Sequence, residues 1–298
     1  SVPVAREKLR EMLDAIPDAK HGELCMLGHS HLDVAGLWTT RELVRKTART
    51  FSNNLALIKR YPDFKFTQSQ AIVYDYMKKY YPDIFAEVKQ AVKDGRWEIV
   101  GNAWVEADTN LASGESLVRQ LLYGREFFIK EFGVCSDTYW LPDCFGFTWA
   151  LPQIIKRSGM KYFYTAKLYY NATHKFLYSV FNWKSHSGDE VIACVQQQHY
   201  EGEYSAAYIR DCWNRSNQKD ITSKAVGCFG YGDGGGGCTV SMVENSKRYE
   251  KMPGLPKARN TFAREFFDGM DSHKDELPTF NDEMYYENHR GTFTSQAF

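Results

Sequence analysis

The chain has 298 residues, of which 43% are hydrophobic and 25% charged, and its 37 Lys and Arg balance 37 Asp and Glu. This composition excludes a disordered chain, and the zero net charge removes the general attraction that nucleic acid or an anionic lipid surface would need. Apolar runs such as 24–27 and 191–195 are far shorter than the ~18 residues of a bilayer span, so neither a nucleic-acid partner nor a membrane is expected. Seven scattered cysteines with no CxxC pair argue against a disulfide framework or a thiolate metal cluster and favour a reducing, cytoplasmic setting. The opening SVPVAREKLREM reads as an amphipathic helix rather than a signal peptide. N-x-S/T triplets at Asn171 and Asn214 matter only in a secreted chain.

In chain order, the spacing predicts a buried strand over 24–29, then a helix over 39–60 whose Leu43, Val44, Thr47, Phe51, Leu55 and Ile58 share one face. A strand over 64–70 precedes helices over 74–80 and 84–93, and a strand over 97–104 precedes a helix over 113–132. Ser113 and Ser116 stand where caps are useful, with Glu115 in the first turn. Strand 138–141, helix 151–157 and strand 162–168 follow, then a hairpin of 178–184 and 190–197 around the turn Ser185–Asp189. Helix 205–214, strand 225–230, helix 240–251, strand 259–261, helix 263–270 and strand 284–287 complete the chain. Such an alternation, without repeat or linker, predicts one α/β domain over 1–298, closed as a barrel or nearly so. A doubly wound open sheet is the alternative.

Reactive groups in α/β folds gather where strands end, and four clusters fall there. In His29-Ser-His31-Leu-Asp33, alternate residues of an extended segment project together, and two imidazoles with a carboxylate suit a borderline metal such as zinc. In WLPDCFG, Asp143 follows a strand and precedes a loop, as a ligand, a nucleophile or an Asx-turn residue would. In GYGDGGGG, Asp233 stands among glycines that match neither a phosphate loop nor a dinucleotide fingerprint but let backbone approach a ligand closely. In EMYYENHRGT, His289 ends the last expected strand. Composition and spacing alone lead to a metal hydrolase of undefined substrate.

The segments GHSHLDVAGLW, RELVRKTARTF, FTQSQA, GRWEIVGNAWVEADTNLASGESLVRQLLYG, WLPDCFGFTWALPQIIKRSGMKYF, GYGDGGGGCT and EMYYENHRGTFTSQ together resemble glycoside hydrolase family 38, the retaining α-mannosidases, in the family's order and over nearly the whole chain. The resemblance implies a distorted (β/α)7-type barrel with one zinc ion per chain, held by His31, Asp33, Asp143 and His289, with His29 behind them. It implies a mannose-containing oligosaccharide as substrate, attacked by Asp143 to give a covalent glycosyl-Asp that is then hydrolysed. Asp233 is the implied acid and base, while Trp38, Glu106 and Asp108 are implied sugar contacts. The sequence departs from the family at Gly36, where a Trp forms part of the floor under the sugar. Family members are longer, with a three-helix and then β-rich domains after the barrel, so the chain reads as a catalytic-domain fragment; a homo-oligomer of the full-length enzyme is compatible with this. Two other readings remain open here: a zinc-dependent carbohydrate deacetylase or amidase attacking with metal-bound water, and an inactive mannose-binding domain.

Overall fold

The computed structural model describes residues 2–16 and 22–288. Strands and helices alternate through α1 (Val2–Asp14), β1 (Glu23–Gly28), α2 (Thr40–Arg60), β2 (Phe66–Gln68), α3 (Ala71–Tyr80), α4 (Pro82–Lys93), β3 (Trp97–Ile99), α5 (Gly114–Phe132), β4 (Thr138–Trp140) and α6 (Leu151–Arg157). They continue through β5 (Tyr162–Thr165), β6 (Val180–Lys184), β7 (Glu190–Val195), α7 (Ala206–Arg215), β8 (Lys224–Phe229), α8 (Val240–Tyr249), β9 (Lys257–Thr261), α9 (Ala263–Phe267) and β10 (Thr279–Phe280). No helix among the described residues is long and apolar enough to cross a membrane.

Local chemistry explains the helices. In α2, Leu43, Thr47, Phe51 and Leu55 recur at helical spacing and are buried, the Thr39 hydroxyl accepts from the Glu42 amide, and Lys59 and Arg60 face the negative end of the dipole. In α5, the Ser113 hydroxyl accepts from the Ser116 amide and Gly133, at φ +73°, ends the helix in the left-handed conformation. By contrast, α1 has no buried residue. All seven thiols are free, and six are buried. The Asn171 side chain is buried and donates to the carbonyls of His174 and Tyr285, which withdraws that triplet from modification in the folded chain.

Strand β1 is apolar on both faces because both are covered. Leu24 and Met26 pack with the α2 residues Leu43 and Phe51, whereas Cys25 and Leu27 face the interior with Trp140, Tyr164, Cys194 and Cys228. The pairing forms three sheets: β8-β1-β9, β2-β3 and β10-β6-β7-β5-β4, all parallel except the β6-β7 hairpin. A single bridge between His29 and Thr67 joins β1 to β2, and the Gly101 amide donates to the Thr138 carbonyl between β3 and β4. No ladder among the described residues joins β5 or β7 to β8; side chains meet there instead, with Tyr164 Oη 3.1 Å from Cys228 Sγ. The molecule is a mixed α/β fold, and among the described residues its strands pair in three separate sheets rather than one closed ladder, where the sequence predicts a barrel closed or nearly so and the family resemblance implies a distorted (β/α)7 type.

Several strands are shorter than their apolar runs. The strand expected over 97–104 stops at Ile99 because Gly101 (φ +95°) and Asn102 (φ +55°) turn the chain. The strand expected over 64–70 stops at Gln68, since Gln70 (φ +65°) starts α3. The strand expected over 162–168 ends at Thr165 and passes into a 3₁₀ turn, Lys167–Tyr170. The strand expected over 284–287 is reduced to one bridge, in which Met284 and Phe147 exchange both backbone hydrogen bonds. These truncations move Gln70, Lys167 and the 284–287 segment from sheet into the loops above it, where the candidate site lies.

Candidate active site

Three of the four sequence clusters meet at the C-terminal ends of parallel strands: His31 and Asp33 after β1, Asp143 after β4 and Asp233 after β8. Each offers one ligand atom, and these atoms lie within 4.8 Å of one another. His31 Nε2 is 3.0 Å from Asp33 Oδ1 and 3.8 Å from Asp143 Oδ2. His289 lies outside the described residues.

The odd-numbered residues of β1 and its extension climb the interior in layers. His29 therefore does point the same way as His31, but one layer deeper: it is buried, and its Nε2 accepts from Trp140 Nε1 at 3.2 Å. Burial, aided by the neighbouring His31, pushes the His29 pKa down to about 3, so this ring is neutral. The expected joint presentation of His29, His31 and Asp33 thus reduces to the last two.

The glycine loop reaches the cluster by lying directly on β1's extension and on α2. The Asp33 amide donates to the Asp233 carbonyl at 2.9 Å, and Leu32 bridges to Gly234. Asn53 Nδ2 donates to the carbonyls of Gly236 and Cys238, both at 2.8 Å, and the Gly236 amide donates to Thr50 Oγ1 at 2.9 Å. Contact this close requires glycine: a Cβ at Gly237 (φ +68°) would stand 2.1 Å from Asn54 Nδ2. Asp233 itself takes φ +48°, a conformation tolerated by Asp. Its Oδ1 accepts from Tyr200 Oη at 2.5 Å, while the next residue, Glu201, accepts from the Gly232 amide at 2.7 Å. Burial, followed by the charge of Asp233, raises the Glu201 carboxyl above its ordinary range.

Around His31 the field is strongly negative. Burial disfavours the imidazolium, but Glu106, Asp33 and Asp143 outweigh it and hold the His31 pKa well above the usual value. One imidazole and three converging carboxylates form a donor set that suits a divalent cation, which would offset the crowded negative charge.

Glu106, expected at a sugar hydroxyl, turns inward. Its side chain is 3% exposed, Oε2 lies 2.8 Å from His31 Nδ1, and Oε1 accepts from Ser69 Oγ. Asp108 caps its own turn, accepting from the amides of Asn110 and Leu111 at 2.8 and 2.7 Å, and borders the cleft. That cleft, of about 340 Å³ beside the cluster, is walled by Val34, Ala35, Val105, Ala107, Asp108 and Phe145. Trp38 stands apart from it: its ring lies under Lys46 Nζ, 4.2 Å from the centroid, and against Gly234. At Gly36 a Cβ would come within 2.6 Å of Asp33 Oδ2, so a side chain there would displace the Asp33 carboxylate.

Four residues of the site were not legible from spacing. The Gln70 amide ties two loops together, donating to the Leu32 carbonyl at 2.8 Å and accepting from the Glu106 amide at 3.1 Å. Lys167 Nζ lies 2.6 Å from Asp143 Oδ1, and Tyr200 and Glu201 brace the Asp233 loop. Tyr200 and Glu201 follow the end of β7, the one cue the sequence offered, whereas Lys167 falls within the strand expected over 162–168.

The chain is 39% identical to alpha-mannosidase G of Dictyostelium discoideum over 274 residues, which are 91% of this chain and 25% of that protein. It is 36% identical to human alpha-mannosidase 2C1 over 271 residues, again 91% of this chain and 26% of the relative. The chain thus spans about a quarter of the length of these relatives. The crystal structure of an alpha-mannosidase from Enterococcus faecalis V583 shares the fold with a TM-score of 0.75 at 19% identity, covering 88% of this chain and 31% of that one. The model of the glycosyl hydrolases family 38 N-terminal domain matches residues 21–283, and the chain belongs to that family.

Proposed function

We propose that this chain carries the catalytic site of a retaining, zinc-dependent α-mannosidase acting on mannose-containing oligosaccharides, on strands arranged as an interrupted (β/α)7 barrel. The observation that carries this reading is the placement of Asp143 and Asp233, whose nearest ligand oxygens lie within 4.8 Å of each other in the cluster that holds His31. Retaining glycosidases keep their two carboxyl groups ~5–5.5 Å apart, whereas inverting enzymes need ~6.5–9.5 Å to admit a water.

His31, Asp33 and Asp143 would hold the ion, with His289 as the fourth ligand by family resemblance. Bound there, zinc supplies Lewis-acid charge to the hydroxyls of the sugar at the cleaved bond. Asp143 is placed to attack at the cluster, with Oδ2 3.8 Å from His31 Nε2 and Oδ1 2.6 Å from Lys167 Nζ. Asp233, steadied by Tyr200 on a loop pinned to α2, gives its proton to the leaving oxygen and then takes one from water. Asp108 faces the cleft as a sugar contact, and Glu106 acts from behind His31. Free, mostly buried thiols favour a reducing, cytoplasmic setting.

Incubation with a 5-fluoro-mannosyl fluoride, followed by peptide mass spectrometry, tests the proposal. A label on Asp143, with zinc bound at about one per chain, is the expected result. A chain that cleaves α-mannosides with no label, or that attacks an acetylated sugar instead, would overturn it.

A further inference from the structure

Lys167 is placed to do more than hold a side chain. It sits in the 3₁₀ turn after β5 with its side chain 9% exposed, and Nζ reaches Asp143 Oδ1 at 2.6 Å. The rest of its surroundings is aromatic: the ring centroids of Phe145, Tyr170 and Tyr286 lie 4.3, 5.2 and 5.5 Å from Nζ. Among the described residues Asp143 is its one carboxylate partner. The two oxygens of Asp143 are therefore divided, Oδ1 on the lysine and Oδ2 toward His31 at 3.8 Å.

We infer that Lys167 is a positioning residue that favours breakdown of the glycosyl-Asp intermediate, by losing its one ion-pair partner whenever Asp143 is esterified. The inference rests on the covalent reading above. In the first half-reaction an Asp143 oxygen donates an electron pair to the anomeric carbon. The glycosidic C–O bond breaks, its pair leaves on the aglycone oxygen, and that oxygen takes the proton of Asp233. The carboxylate has then become a neutral ester, and Lys167 remains buried among three rings. Ring faces attract a cation far less than a carboxylate does, and breaking a buried pair from one side is costly. In the second half-reaction water attacks the anomeric carbon and gives a proton to Asp233. The ester C–O pair returns to Asp143, and the ion pair with Lys167 re-forms. The lysine thus opposes ester formation and assists ester hydrolysis.

The test is the lifetime of the trapped ester in wild type, Lys167→Met and Lys167→Arg, with metal content measured on each sample. The chain is labelled with 5-fluoro-mannosyl fluoride, excess reagent is removed, and loss of the label from Asp143 is followed by intact mass. Lys167→Met should be labelled at least as fast as wild type and lose the label on the order of tenfold more slowly, while Lys167→Arg should resemble wild type. Lys167→Gln carries the same expectation should the Met variant fail to fold. A merely structural lysine would slow labelling and label loss together, and that result overturns the inference, as does an unchanged rate of label loss. Metal lost from Lys167→Met alone would assign the lysine to the metal site and also overturn it. No label on Asp143 in wild type overturns the covalent reading and this inference with it, whereas a labelled wild type with equal lifetimes overturns only the inference.

Discussion

Removing Glu106 should weaken metal binding without touching a ligand. Its Oε2 lies 2.8 Å from Nδ1 of His31, on the far side of the ring from the nitrogen that faces Asp33 and Asp143. A carboxylate in that position keeps the proton on Nδ1 and leaves the Nε2 lone pair directed at the cluster. Ser69 occupies the other oxygen, and the side chain is 3% exposed, so no water can take over its role without rearrangement. Loss of such a partner costs roughly 10- to 100-fold in metal affinity, about 1.4 to 2.7 kcal/mol. Glu106→Ala should show the full loss. Glu106→Gln, whose carbonyl can still accept from Nδ1, should keep part of it, which separates orientation of the ring from simple loss of negative charge. The assay is competition for zinc against a chromophoric chelator at pH 7. Asp108→Ala serves as the comparison, because its carboxylate holds the 110–111 turn and not the ring. Affinity within twofold of wild type in Glu106→Ala would refute the reasoning, since orientation losses of this kind start near tenfold.

Other expectations follow from the same geometry. Gly36→Ala places a Cβ 2.6 Å from Asp33 Oδ2 and should lower zinc affinity by about tenfold in the same titration as the carboxylate is pushed aside; undiminished affinity would show that Asp33 can swing clear. Gly237→Ala combines φ +68° with a 2.1 Å approach to Asn54 and should lower unfolding stability by about 2 kcal/mol or more. Gly234→Ala, whose nearest neighbours are the ends of Lys46 and Trp38, should be nearly neutral by thermal melting. Glu98 is half-buried and accepts from Thr67 and from the amides of Ala263 and Arg264, yet desolvation dominates and raises its carboxyl above the ordinary range. A folded pKa above the unfolded one means that the folded state holds the extra proton, so the stability of wild type relative to Glu98→Gln should fall as pH rises from about 4 through that raised range. Urea unfolding of both proteins at several pH values reads this directly, and a wild-type stability that rises with pH relative to that of Glu98→Gln would contradict it.

The amino-acid sequence by itself determined the alternation of strands and helices, the buried face of α2, the cap of α5, and the clusters that carry the chemistry. These are local properties: apolar period, caps, and polar residues where an apolar strand stops. His31, Asp33, Asp143 and Asp233 were legible because each stands just past such a strand or among glycines, and the family's motifs put them in order. Only the tertiary structure decided what each residue faces. His29 shares the direction of His31 but lies one layer lower against Trp140; Glu106 borders the cleft but directs its carboxylate to the back of His31; Trp38 is taken up by Lys46 and the glycine loop. Gln70 and Lys167 acquire roles because left-handed or 3₁₀ turns cut short their apolar runs and bring them against loops distant in sequence. Strand closure was likewise beyond a periodicity argument, since whether two neighbouring strands form a ladder depends on twist and on the side chains between them, here Tyr164 and Cys228.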